Sequence, residues 1–194
     1  MLAYPQKARR DQFESTGAPP RRIVLLGERL TESGNWEEWF PDQPILNRGI
    51  GGDHTAEVLS RLDSAINEPL GVLLLIGTND VAAAVPLDES LANLRGILSG
   101  IEVRAPGTPV VVQSVMPRGR SYAQEVRRLN IGYQEVVAEA AESVRYLDLW
   151  PALAADDGSL RQDLTFDKLH LNGQGYREWV ALLRPIVEAW GRSR

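Results

Sequence analysis

The chain of 194 residues has no cysteine. A disulfide framework, a cysteine nucleophile and thiolate-bound zinc or iron–sulfur centres are thereby excluded. Lysine is nearly absent: Lys7 and Lys168 are two of 21 basic residues, and the rest are arginine. Positive charge is short overall, with a formal net charge of −5 and a pI near 5.2. A nucleic-acid-binding domain carries a basic excess, so no nucleic-acid partner is expected. Long hydrophobic runs are also missing. Nothing approaches the roughly 18 consecutive apolar residues of a membrane span, so no membrane association is expected. The stretch before Pro20 is polar, with Arg9, Arg10 and Asp11 where a secretory leader needs an apolar run. These absences predict a cytoplasmic protein.

What is present is ordinary for a folded domain: 43% hydrophobic and 24% charged residues, far from disordered composition. Surface scaling predicts that about 70% of the unfolded chain's surface is buried on folding, enough for a full core without covalent staples. Residues 21–194 are read as one domain, preceded by an N-terminal helix or extension over 1–20. Four runs are read as strands, 23–26, 72–76, 109–112 and 145–149, and the first three place Val, Ile or Leu on consecutive rather than alternate positions. That pattern suits parallel strands covered on both faces. A fifth, shorter run lies at 44–47. Helical spacing covers 55–67, 88–104, 121–143 and 175–190, with a leading helix over 4–14. Strand and helix alternate, which implies an α/β fold with an open parallel sheet and right-handed crossovers. In such folds ligands bind beyond the carboxyl ends of the strands.

Several of those ends are rich in polar residues and glycine. They read GERL at 27–30, NRGIGGD at 47–53 followed by His54, IGTND at 76–80, MPRG at 116–119 and DKLHLN at 167–172. In this order and spacing the last four resemble the motifs of the SGNH/GDSL hydrolase family, and within it the small bacterial esterases related to platelet-activating-factor acetylhydrolase. The likeness runs from about residue 21 to residue 190. It implies a three-layer α/β/α architecture around a five-stranded parallel sheet of flavodoxin-like order. It further implies acyl-ester chemistry on a small-molecule substrate with neither metal nor cofactor, and it leaves a homodimer open.

Carried over by position, the resemblance implies that Asp167 orients His170, which acts as general base. The backbone N–H of Gly52 and the side chain of Asn79 would donate to a developing oxyanion. The family's nucleophile, the serine of Gly-Asp-Ser-Leu, falls at Arg29, and the aspartate before it at Glu28. A guanidinium stays protonated and accepts no acyl group, so the covalent route is blocked at this position. Arg29 has two readings. It is a plug, ion-paired to Glu28, Asp53 or Asp167, or it is a receptor for a carboxylate, phosphate or enolate, whose oxygens its planar fork matches. Glu28 and His54 are placed with Gly52 and Asn79 among the binding residues, His54 as a polar wall. Lys168, Arg118 and Arg120 are expected to be solvated charges, and Asp80 a structural residue. Thr31 and Ser33 are disfavoured as substitute nucleophiles, because one helical turn moves a hydroxyl by about 5 Å, more than attack geometry tolerates. Three functions remain. The preferred one is an enzyme performing non-covalent acid–base chemistry (elimination, isomerisation, cyclisation or direct-water hydrolysis) on an acyl or anionic small molecule. The others are a catalytically inactive pseudo-esterase that binds a ligand, and an ester hydrolase with a replacement nucleophile.

Overall fold

Successive side chains of a strand point to opposite faces of its sheet, so a strand that is apolar throughout needs cover on both sides. The computed structural model, which describes residues 4–192, meets that need. Helix α1 (Tyr4–Thr16) leads into strand β1 (Ile23–Gly27), followed by two short helices, α2 (Arg29–Glu32) and α3 (Trp36–Trp39). Strand β2 (Ile45–Gly49), α4 (Thr55–Ser60), β3 (Gly71–Leu75), α5 (Thr78–Ala82) and α6 (Leu87–Arg104) come next. Then follow β4 (Val110–Gln113), α7 (Ala123–Ala138), β5 (Val144–Leu147), α8 (Trp150–Leu153) and α9 (Gly173–Gly191).

The five strands are parallel and ordered β2-β1-β3-β4-β5. This is the three-layer architecture and flavodoxin-like order that the motifs imply. Alternation along the strands divides the core. Val24, Leu26, Val72, Leu74, Val110 and Val112 face α4, α6 and α7. Ile23, Leu25, Leu73, Leu75 and Val111 face Trp36, Phe40 and the α9 residues Trp179, Leu183 and Val187. On that second face Trp36 meets Trp179 edge to face, with ring centroids 4.9 Å apart, and its indole N–H donates to the Thr31 carbonyl at 2.7 Å. The register aligns Gly27 with Gly49 and with Leu75. The loops that leave β1, β2 and β3 therefore emerge side by side.

Two helices differ from their periodic patterns. The span 55–67 is not one helix: α4 stops at Ser60, and a 3₁₀ turn covers Leu62–Ser64. The break falls at Arg61, whose guanidinium turns inward to Asp53 and the Gly27 carbonyl. The span 121–143 ends early, at Ala138. The residues after it are good helix formers, but the chain must turn there to enter β5, and Val144 N–H bonds the Ala141 carbonyl. No helix among the described residues is long and apolar enough to cross a membrane.

Candidate active site

The Asp167–His170 segment is a tight hairpin loop closed by an antiparallel bridge between Thr165 and Leu171. The Thr165 hydroxyl organises it, donating to the His170 carbonyl at 2.7 Å and accepting from the N–H groups of Asp167 and Lys168. Asp167 Oδ1 accepts from the N–H groups of Leu169 and His170. Its Oδ2 lies 2.6 Å from His170 Nδ1, leaving Nε2 directed away from the pair. The hydrogen bond to His170, with those two backbone donors, holds the Asp167 carboxyl well below the usual carboxylate range. Both side chains are about half exposed. The loop runs straight into α9, whose N-cap Asn172 accepts from Gly175 N–H. One turn on, the Tyr176 hydroxyl donates to the Leu30 carbonyl at 2.7 Å. That bond ties the dyad loop to the turn after β1.

In that turn Glu28 caps α2, its carboxylate accepting from Leu30 N–H at 3.1 Å. The extended N-cap backbone folds the carboxylate back onto the helix start, so Glu28 is only 2% exposed. This corrects its placement among the binding residues: it lies beneath the site surface. Burial pushes its pKa up to about 7, against the pull of the Leu30 and Arg29 N–H groups and the Arg29 charge. The next side chain goes the other way. Arg29 is exposed, and its guanidinium rests on the backbone of Gly51, where an added Cβ would lie 2.7 Å from Cζ. No described residue makes a hydrogen bond or ion pair with it. None of the three carboxylates expected for an ion-paired plug reaches ion-pairing distance of Arg29, although its charge still acts on Glu28. Glu28 is held by the backbone, Asp167 by His170 and Asp53 by Arg61. Thr31 is buried under the end of β1, and Ser33 is the exposed C-cap of α2.

The loop after β2 brings Gly52 to the same edge with φ +89°, a left-handed conformation open to glycine. No described residue accepts from the Gly52 N–H. Asn79 donates one amide N–H to the Asp53 carbonyl at 2.8 Å, which leaves its second N–H unengaged. Beneath them Asp53 pairs with Arg61 at 2.7 Å, and both side chains are almost fully buried. Asp80 is buried and accepts from the Thr55 N–H and hydroxyl, a structural role. His54 is the N-cap of α4, half-exposed, with Nδ1 3.3 Å from the Glu57 carboxylate. Lys168 is exposed, at φ +66°.

Two features escaped the sequence. Helix α1 lies against the glycine loop: Arg9 donates to the Gly49 carbonyl and pairs with Glu32, and the Gln6 amide packs over Gly52. Nothing in the periodicity of α1 shows what it covers. The second is Arg118, which is buried rather than solvated. Its place in the MPRG motif was the available signal. Apolar cavities of about 300 and 570 Å³ lie at the opposite, amino end of the sheet, against Val110 and Val144 or Tyr146 and Trp190. They hold none of the dyad, loop or elbow residues, so chemistry rather than volume marks the site. Among the described residues no group of three or more His, Asp or Glu is arranged to hold a metal ion.

A glycine loop, an Asp–His hairpin and the turn after β1 thus meet at the carboxyl edge of one sheet, in the order in which the motifs occur. The model of the GDSL-like lipase/acylhydrolase family matches residues 12–178, which contain all of them. The chain belongs to that family. It is 30% identical over 175 residues to platelet-activating factor acetylhydrolase IB subunit alpha1 of Bos taurus, covering 85% of this chain and 74% of that one. The human subunit gives the same identity and coverage. A solved structure from Streptococcus pneumonia, described as a platelet activating factor, superposes with a TM-score of 0.88 at 25% identity over 94% of this chain and 92% of the other. A GDSL-like lipase from Bacteroides thetaiotaomicron shares the fold, with a TM-score of 0.77 at 22% identity over 95% and 97%. Family membership supports a hydrolase-type function for this chain.

Proposed function

We propose that this GDSL-family protein acts on an anionic acyl compound by general-base chemistry without a serine nucleophile, and that Arg29 stands where the family's serine does. One observation carries the reading. The Asp167–His170 pair is tightly formed, at 2.6 Å, while the elbow beside it presents an exposed guanidinium with no partner among the described residues. Direct hydrolysis is the reaction that best agrees with the family's hydrolase character. His170, steadied by Asp167, takes a proton from water as the water oxygen bonds to the acyl carbon. Charge then gathers on the acyl oxygen, and the Gly52 N–H and the second Asn79 N–H receive it. Arg29 pairs with the anionic group and fixes its orientation. The proton on His170 passes to the leaving oxygen as the acyl–oxygen bond breaks. A positioned base supplies about 10²–10⁴-fold and an oxyanion donor about 10²–10³-fold, so useful rates need no covalent intermediate.

The test sets the native chain beside Arg29→Ser on an aryl acetate, with intact-mass labelling by a fluorophosphonate. The native chain should be silent and unlabelled, and Arg29→Ser should both hydrolyse the ester and take up the label. A labelled native chain would mean a replacement nucleophile. If both chains are silent, the edge is not competent for acyl chemistry, and a ligand-binding pseudo-esterase becomes the better account.

A further inference from the structure

Arg29 and Glu32 are the first and last residues of α2. At positions i and i+3 of a helix, opposite charges are surface neighbours and attract. Here the two approach but do not pair. Arg29 Nη2 and Glu32 Oε2 each lie 2.7 Å from the position of an added Gly51 Cβ, so they are within twice that distance of each other. The Glu32 carboxylate is paired with Arg9 instead. Both of its oxygens are engaged away from Arg29. Oε2 accepts from the Gly51 N–H at 2.8 Å, and Oε1 lies 3.1 Å from Nε of Arg9 on helix α1. The backbone of Glu32 is fixed, because an added Cβ at Gly49 would collide with it and its carbonyl accepts from the Asn47 amide at 3.0 Å. Only the side chain can choose between Arg9 and Arg29.

Arg9 is held where it can win that contest. Its Nε also donates to the Gly49 carbonyl at 2.6 Å, and its guanidinium lies over the ring of Phe13, with Cζ 4.9 Å from the centroid. Phe13 is the buried residue of α1 and anchors the helix. The Arg9 and Glu32 side chains are 28% and 26% exposed, so their attraction is less screened than that of a pair fully in water. Arg29, by contrast, is exposed. We infer that Arg9 is a positioning residue for the candidate site: by holding Glu32 it stops Arg29 from being neutralised by its own helix, and leaves that guanidinium open to an anionic group. This rests on the reading of Arg29 as an anion receptor. Without Arg9, the i,i+3 pair closes and the receptor is filled from within the chain.

Phenylglyoxal condenses with arginine side chains and reacts more slowly where a carboxylate pairs the guanidinium, so it reads the state of Arg29 directly. Initial rates at Arg29, followed by peptide mass mapping of the full chain at neutral pH and low salt, test the inference. Arg9→Met keeps an apolar stem over Phe13 but not the charge. It should slow modification of Arg29 about two- to fivefold, the worth of an exposed ion pair. Adding Glu32→Gln should return the native rate, and Arg9→Lys, which keeps the charge, should never lose it. If Arg9 only pinned α1, its loss would leave Arg29 unchanged or more reactive. That result overturns the inference, as does a slowing that Glu32→Gln does not reverse. Should Arg9→Met fail to fold, Glu32→Gln alone decides. An unchanged Arg29 rate agrees with the inference, and an acceleration of about twofold or more overturns it, because Glu32 would then already occupy Arg29. A second arm compares sodium butyrate with sodium chloride at equal ionic strength. Butyrate should protect Arg29 in the native chain, and less in Arg9→Met. If it protects the native chain while Arg9→Met leaves Arg29 unchanged, the Arg29 reading stands and the role of Arg9 falls. If it protects neither chain, the Arg29 reading falls and takes the role of Arg9 with it.

Discussion

Glu28→Gln is the perturbation that most directly probes the ground beneath the elbow. Burial lifts the Glu28 carboxyl from 4.5 to about 7. Each pH unit of difference between folded and unfolded values is worth 1.36 kcal/mol, so ionised Glu28 costs the folded state about 3 kcal/mol. The sign follows from the folded state's tighter hold on the proton. The favourable contribution of the neutral acid is fully present below about pH 4.5, is lost as the pH rises toward 7, and stays lost above it. Glutamine keeps an acceptor for Leu30 N–H but cannot ionise. The variant should therefore match the native chain at pH 4.5 and exceed it by about 3 kcal/mol at pH 8. Urea unfolding of both chains at half-unit pH intervals would show this, and the difference curve cancels all other titrating groups. A difference that stays flat from pH 4.5 to 8 would refute the reasoning, because Glu28 would then titrate alike in both states. Removing the nearby cation supplies a second check: Arg29→Ala should move the midpoint of the difference curve to higher pH, since the Arg29 charge opposes the lift.

The buried Asp53–Arg61 pair under the glycine loop predicts a strongly non-additive cycle: Asp53→Ala should lose about 3–5 kcal/mol by stranding the guanidinium, and adding Arg61→Leu should recover much of it, as read by chemical denaturation. At Lys168, φ +66° is a strained conformation for a side-chain-bearing residue. Lys168→Gly should raise stability by about 0.5–1 kcal/mol, the strain relief less the entropy of a freer unfolded chain, and unchanged thermal melting would mean that the loop relaxes around lysine without strain.

The strands could be read from the sequence because a parallel sheet buried on both faces demands consecutive apolar residues, and runs as short as 23–26 or 72–76 are far below the length of a membrane-crossing helix. The dyad was legible for a related reason. Asp167 and His170 are three residues apart, so one turn of chain brings them together whatever surrounds it. Helix limits were less legible, because α4 ends where Arg61 meets partners from two other segments. The order of motifs along the chain also placed Arg29, Gly52 and Asn79 at one edge, since β1, β2 and β3 end in register. What each side chain does at that edge was decided only by packing. Glu28 and Arg29 are neighbours, yet one is buried and the other exposed, because the N-cap geometry turns the carboxylate inward. Arg118 looks like a loop cation in sequence and becomes a buried one because Thr78 and Tyr122 enclose it. Composition and local spacing thus settle which elements form and which residues reach the edge. Which charges are neutralised there depends on partners distant in sequence, and only the folded chain brings those together.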